Sequence, residues 1–251
     1  MRKIALFGGT AEARLLAGFL AEEGADLIVC VATGYGRDLI DAPNVRVLTG
    51  RMGQTEMERL LREGLERVID ATHPYAAEAT ANIKAAANNT GVPYIRLERP
   101  ASNLDGCRTL PSAAAAVEYL KGTTGNILLT TGSNELPVFT RLPDYKRRIY
   151  LRVLPFAPVL EECAALGFLP GNILAMQGAF DEDFNRALLR HWQIKTLVSK
   201  DGGKVGGFEA KRRAAAALGV ELVVIVRPPQ EPGIPYAEMV AELKRWLKGA
   251  S

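Results

Sequence analysis

Asp70-Ala71-Thr72-His73-Pro74-Tyr75-Ala76 closes an apolar run and opens an alanine-rich stretch, and it holds one of the two histidines in the 251-residue chain. An imidazole exchanges protons near neutral pH, and a phenol beside it offers a hydrogen-bonding hydroxyl. Strand-to-helix turns of parallel α/β sheets lie at the carboxyl end of the sheet, where ligands bind. Gly8-Gly9-Thr10 follows the first apolar run in the same way. Glycines let a backbone approach a pyrophosphate, and a helix start supplies unbonded N–H groups and a positive pole. The two turns together suggest an enzyme that uses a nucleotide cofactor. The full GxGxxG fingerprint is absent, and Thr10 would serve equally as a helix N-cap.

The second apolar run ends in Val31-Ala32-Thr33-Gly34-Tyr35-Gly36-Arg37. NAD-specific sites place an acid there for the ribose 2′-hydroxyl. None is present, and Thr33 and Arg37 suit a 2′-phosphate, because a guanidinium pairs well with phosphate. NADPH is the expected cofactor, with NADH as the alternative. Gly50-Arg51-Met52 follows the third run and adds Arg51 to the cofactor candidates.

Further along, Thr130-Thr131-Gly132-Ser133, Gln177-Gly178 and Ser199-Lys200-Asp201-Gly202-Gly203 each follow an apolar run, and Gly206-Gly207 opens a helix carrying Lys211. Hydroxyls and glycines at strand ends make nests of N–H donors for anions. Each alone could be a turn; together they favour a ligand cleft. Arg99, Arg152, Lys200 and Lys211 supply positive charge for a polycarboxylate. No Gly-x-Ser-x-Gly elbow and no P-loop is present.

The elements that must position these residues alternate strand with helix. The first half reads as strands at 3–7, 26–31, 45–48, 67–70 and 93–97 with helices at 12–23, 54–63 and 75–89. Apolar runs with few polar interruptions fit a parallel sheet covered on both faces. A Pro-, Asn-, Asp- and Gly-rich segment, 98–106, reads as a linker. The second half repeats the alternation, with strands at 126–130, 148–153, 172–176, 196–199 and 221–226 and helices at 112–121, 159–166, 181–191, 208–218 and 236–248. The expectation is an α/β chain of two Rossmann-like parallel-sheet domains, 1–100 and 101–251, with a cleft between them. The first would bind the cofactor and the second the substrate.

Composition narrows the partners. Hydrophobic residues make up 48% and charged residues 24%, ordinary for a globular protein. A net charge of +3, with acids and bases interspersed, argues against nucleic acid. No stretch approaches the roughly 20 uninterrupted apolar residues that a membrane helix needs, and no signal segment opens the chain, so a cytoplasmic enzyme is expected, by default a monomer. Cys30, Cys107 and Cys163 are far apart and form neither a metal spacing nor a disulfide framework. Two separated histidines, His73 and His191, make no case for a metal.

With these residues in place, the sequence resembles the precorrin-6A reductase family of corrin-ring biosynthesis, including its cobalt-precorrin-6A branch. The matching segments are Gly8-Gly9-Thr10-x-Glu12-x-Arg14, Ala32-Thr33-x-Tyr35-Gly36, Asp70 through Ala76, and Arg96-x-Glu98-Arg99-Pro100. They continue through Thr130–Ser133, Gln177-Gly178, Lys200-Asp201-x-Gly203 with Gly206-Gly207 and Lys211, to Arg227-Pro228. Gly202 stands where the family pattern has serine, and Ala179 where proline is common. The resemblance implies two Rossmann-like domains that can exchange a strand. It also implies a reduced nicotinamide and reduction of one carbon–carbon double bond in an anionic tetrapyrrole bearing acetate and propionate arms. On that basis Gly8, Gly9, Thr10, Glu12, Arg14, Thr33, Tyr35, Arg37 and Arg51 are expected at the cofactor. Tyr75, Arg99, Thr131, Gly132, Ser133, Gln177, Lys200 and Lys211 are expected at the substrate, with His73 and Lys200 as candidate proton donors. The alternatives are another NAD(P)H-dependent reductase and an S-adenosylmethionine-dependent tetrapyrrole methyltransferase.

Overall fold

The computed structural model describes residues 1–40, 42, 45–203, 206–229 and 231–249, with the Tyr35 side chain left out. The chain forms two compact units, Met1–Pro100 with Pro228–Ser251, and Ala101–Arg227. In the first unit the order is β1 (Lys3–Phe7), α1 (Ala11–Glu22), β2 (Asp26–Val31), α2 (Gly34–Asp38), β3 (Arg46–Thr49), α3 (Gln54–Leu61), β4 (Arg67–Asp70), α4 (Ala77–Thr90) and β5 (Tyr94–Glu98). The second unit holds β6 (Arg108–Leu110), α5 (Ala113–Lys121), β7 (Asn126–Thr130), α6 (Leu136–Phe139), α7 (Tyr145–Arg148), β8 (Ile149–Val153), α8 (Ala157–Ala165), β9 (Ile173–Ala175), α9 (Glu182–His191), β10 (Ile194–Lys200), α10 (Phe208–Ala217) and β11 (Glu221–Ile225). The chain then returns to the first unit as β12 (Ile234–Pro235) and α11 (Tyr236–Leu247).

Each unit is built on a six-stranded parallel sheet, ordered β3-β2-β1-β4-β5-β12 in the first and β9-β8-β7-β10-β11-β6 in the second. Both follow the dinucleotide-binding order 3-2-1-4-5-6 in their first five positions, with its switch point between the first and fourth strands. The sixth position is exchanged. β6 comes directly after β5 in sequence but pairs with β11, and β12 comes directly after β11 but pairs with β5. Gly233 makes the second pairing possible, since a Cβ there would stand 2.9 Å from Arg96 O and Glu98 N.

The expectation assigned 228–251 to the second domain, whereas this segment completes the first. Strand alternation shows why. Ile4 and Leu6 face one side of the first sheet, with Leu16 and Leu20 of α1 and with Met239 and Leu243 of α11. Ala5 and Phe7 face the other, with Met57, Leu60 and Leu61 of α3 and Ile83 of α4. Without α11 the α1 face would lie half uncovered. Met239 is fully buried, so Met239→Ala should cost about 2–5 kcal/mol, the usual range for a large-to-small core substitution. Denaturant unfolding of a Trp192→Phe variant, in which Trp246 alone reports the first unit, measures this; an unchanged midpoint would exclude it. In the second unit, Leu128, Leu197, Leu222 and Val224 pack under Leu188 and Leu189 of α9 and Phe208 and Ala214 of α10.

No helix among the described residues is long and apolar enough to cross a membrane. Among the same residues, no cluster of His, Cys, Asp and Glu could hold a metal.

Candidate active site

The switch point of the first unit is shaped by a close approach of two strand ends. Gly8 N donates to Cys30 O at 3.0 Å, and Gly8 adopts φ +152°. A Cβ there would lie 2.5 Å from Ala71 O, so only glycine lets β1 pass the end of β4. Gly9, by contrast, borders open space. The Thr10 hydroxyl caps α1, accepting from Ala13 N at 3.1 Å and donating to Ala71 O at 3.2 Å. Its side chain is thus engaged in the cap, while the N–H groups of Ala11 and Glu12 make no hydrogen bond to a described residue. Such groups at a helix N-terminus suit an anion.

Charge around this turn is arranged by ion pairs. The Glu12 carboxylate would repel a phosphate, but Arg99 pairs with it at 2.8 Å, with the two side chains only 8% and 19% exposed. Arg14 Nη1 reaches Gly9 O at 3.4 Å. Thr33 Oγ1 accepts from Gly36 N at 3.2 Å and so starts α2, which presents Arg37 exposed and without an ion pair to any described residue. Arg51 is exposed beyond β3. The Tyr35 side chain lies outside the described residues.

Beneath the 70–76 turn lies a polar network that the sequence did not reveal. Asp70 is fully buried, paired with Arg96, and accepts from Thr72 N at 2.9 Å, Thr72 Oγ1 at 2.7 Å and Tyr94 Oη at 3.1 Å. Arg96 also donates to Thr80 Oγ1 at 2.9 Å. Burial, and secondarily the Asp70 charge, pushes the Tyr94 phenol up, keeping it protonated as a donor. The network fixes the start of the turn, so His73 and Tyr75 stand on a braced base. Tyr75 N approaches His73 Nδ1 at 3.4 Å and the two rings lie 5.3 Å apart.

In the second unit the corresponding strand ends carry a different chemistry. Thr131 follows β7 with its hydroxyl buried and bonded to no described residue, Gly132 bends the chain at φ +83°, and Ser133 O accepts from Leu136 N at 2.9 Å. Lys200, at the end of β10, pairs with Glu135 at 2.9 Å. Lys211 is buried and donates to Ser199 Oγ at 3.2 Å. Burial, then the charge of Arg152, lowers its amine to about 7. Gln177 is exposed. Asp201 is 2% exposed and ties together both chain ends of the unit. It accepts from Ser102 Oγ at 2.6 Å and Gly203 N at 3.1 Å and pairs with Arg227 at 2.8 Å.

A model of the family described as precorrin-6x reductase CbiJ/CobK matches residues 3–248. The chain belongs to this family. The cobalt-precorrin-6A reductase of Priestia megaterium is 37% identical over 239 residues, 93% of this chain and 94% of the relative. That of Salmonella typhimurium is 35% identical over 98% of this chain and 97% of the relative, and the precorrin-6A reductase of Rhodobacter capsulatus 32% identical over 97% and 94%. The solved structure of the CobK precorrin-6A reductase superposes with a TM-score of 0.80 at 30% identity, covering 100% of this chain and 98% of that one.

As a precorrin-6x reductase the chain is an oxidoreductase of corrin-ring biosynthesis, and the methyltransferase alternative is set aside. The candidate residues fall into separate groups. Gly8, Gly9, Thr10, Glu12, Arg14, Thr33, Arg37 and Arg51 stand at or near the carboxyl edge of the first sheet, and so do His73, Tyr75 and Arg99. Thr131, Gly132, Ser133, Gln177, Lys200 and Lys211 belong to the second unit. Arg99, expected at the substrate, forms an ion pair with Glu12 within the first unit. Position 202 does not demand its glycine, since a Cβ there makes only ordinary contacts, 3.5 Å from Gly206 Cα. Gly206 is the constrained partner, its own Cβ falling 2.6 Å from Gly202 O.

Proposed function

We propose that this precorrin-6x reductase uses NADPH to reduce one carbon–carbon double bond of precorrin-6A or its cobalt-bearing counterpart. The first unit would hold the cofactor and the second the anionic macrocycle. The observation that carries the cofactor half is the Gly8–Ala71 approach, which brings backbone and the unbonded α1 N–H groups to an open edge beside Gly9. When bound, the reduced nicotinamide supplies a hydride.

The remaining work belongs to the chain. Gly8, Gly9 and the first turn of α1 cradle the pyrophosphate, with Thr10 rigidifying the cap and Arg14 close by. Arg99 neutralises Glu12 so that this carboxylate does not oppose the phosphates. Thr33, Tyr35 and Arg37 take the 2′-phosphate end, and Arg51 adds charge at the neighbouring edge. Thr131, Gly132, Ser133, Gln177, Lys200 and Lys211 receive the carboxylate arms, with Tyr75 a further contact. His73 or Lys200 would protonate the carbon beside the one that gains the hydride.

Titration of NADPH and NADH, followed by nicotinamide fluorescence, tests the reading. Arg37→Ala should weaken NADPH about 10-fold, the worth of one charge-assisted contact, and leave NADH unchanged. Binding of neither nucleotide, or equal weakening of both, would overturn the assignment.

A further inference from the structure

Two basic groups of the second unit, buried Lys211 and partly buried Arg152, have no acid to balance them among the described residues. β7 pairs Leu129 with Leu151 and Thr130 with Ser199, which sets Arg152 of β8 and Ser199 of β10 on either side of Thr130. Lys211 of α10 is 7% exposed and reaches Ser199. Arg152 donates to Asn185 Oδ1 of α9 at 2.9 Å and lies over the Phe180 ring at 4.9 Å. Asn185 is itself 3% exposed, anchored by its own donation to Asp181 O at 2.6 Å and Phe180 O at 3.2 Å. Its oxygen is thereby aimed at the guanidinium.

The carboxylates of every element packed on α10 are engaged elsewhere or face solvent. On α10 itself Glu209 is held by Arg212 and Arg213 at 2.7 and 3.2 Å. On α9 Glu182 stands 3.8 Å from Arg186, Asp183 is exposed, and the preceding Asp181 caps Phe184 N. On β11 Glu221 accepts from Arg108 and Tyr119. At the end of β10 Lys200 pairs with Glu135 and Asp201 with Arg227. Neither Lys211 nor Arg152 pairs with a carboxylate among the described residues, and Arg152 is the charged group that bears on Lys211.

A buried amine beside a guanidinium gives up its proton more readily than it bears a second unbalanced charge, and an anion between the two groups would reverse that. We propose that Lys211 and Arg152 form a subsite for a single carboxylate arm of the substrate, with Ser199 and Asn185 directing the two basic groups. The assignment rests on the tetrapyrrole reading given above. A carboxylate between an ammonium and a guanidinium accepts charge-assisted bonds from both, and the planar guanidinium offers it a fork. Its arrival also draws a proton onto Lys211, whose amine burial and Arg152 hold at about 7. Substrate binding above that pH should take up a proton.

Lys211→Met removes the ammonium and keeps a chain of similar shape. It should lower kcat/KM for precorrin-6A about 10- to 100-fold, the loss of one charged hydrogen bond, without changing the Kd for NADPH. Calorimetric titration of precorrin-6A at about pH 8, in two buffers of different ionisation enthalpy, should show close to one proton taken up by the parent and none by the variant. Arg152→Met, made in parallel, should lose affinity similarly and keeps the question answerable if Lys211→Met does not fold. Unchanged kcat/KM and unchanged proton uptake in a folded variant would overturn the subsite and leave the reductase reading standing. A parent enzyme that binds NADPH but does not reduce precorrin-6A would overturn the tetrapyrrole reading and the subsite together.

Discussion

Asp201→Ala should destabilise the second unit by about 3–5 kcal/mol, the cost of leaving a buried guanidinium without its carboxylate. The Arg227 side chain is 8% exposed and Asp201 3%, so water cannot replace the lost partner. The substitution also strands Ser102 Oγ and Gly203 N, each of which donates to the same carboxylate. The chain has two tryptophans, Trp192 in the second unit and Trp246 in the first. In a Trp246→Phe background, denaturant unfolding followed by Trp192 fluorescence reads the second unit alone. Asp201→Asn, which keeps an acceptor but not the charge, should fall between parent and alanine variant. A shift below about 1 kcal/mol for alanine would mean that the carboxylate is dispensable, since most single substitutions already cost that much.

Gly8→Ala should be the most damaging single methyl in the first unit. The new Cβ would stand 2.5 Å from Ala71 O, 2.7 Å from Ala71 C and 3.2 Å from Ala13 Cβ. Two of those atoms are backbone at the end of β4, and the third belongs to α1, so no rotamer relieves the contact. The positive φ adds strain of its own, and together the two should cost about 2–4 kcal/mol. Gly9→Ala separates folding from binding. Its Cβ meets nothing within 4 Å, so the unit should keep its stability while the methyl obstructs a pyrophosphate on the backbone. Melting and NADPH titration of both variants give the contrast: the first loses stability and affinity, the second affinity alone. If Gly9→Ala binds NADPH like the parent, the phosphate does not approach that edge.

The pattern of apolar runs carried most of the architecture. The strands at 3–7, 26–31, 67–70 and 126–130 stand where the periodicity put them, because buried parallel strands are continuous and short. The two exchanged strands were not legible. β12 is Ile234–Pro235, too short for any alternation, and β6 emerges from a stretch rich in Pro, Asn, Asp and Gly. Their pairing is decided by β5 and β11, which lie far off in sequence. α2 was hidden for another reason: Gly34 and Gly36 read as a loop, and only the Thr33 cap and the packing of Gly36 on Val31 make it a helix. At the site, glycine turns after strands were legible because their residue types are constrained by backbone geometry. The pairs Asp70–Arg96, Asp201–Arg227 and Glu12–Arg99 were not, because charged residues on unconnected strands show no spacing that predicts which will meet.

The exchanged edge strands also dictate an order of events during synthesis. As the chain leaves the ribosome, residues 3–98 emerge long before 234–247, yet the face of the sheet that packs Leu16 and Leu20 waits for Met239 and Leu243. By then every strand of the second sheet has been made. Domains generally mature in the order of translation; here the earlier-made half is the last to close its core. Its unfinished apolar surface must stay in solution, or under a chaperone, for the time it takes to translate the whole of the other half.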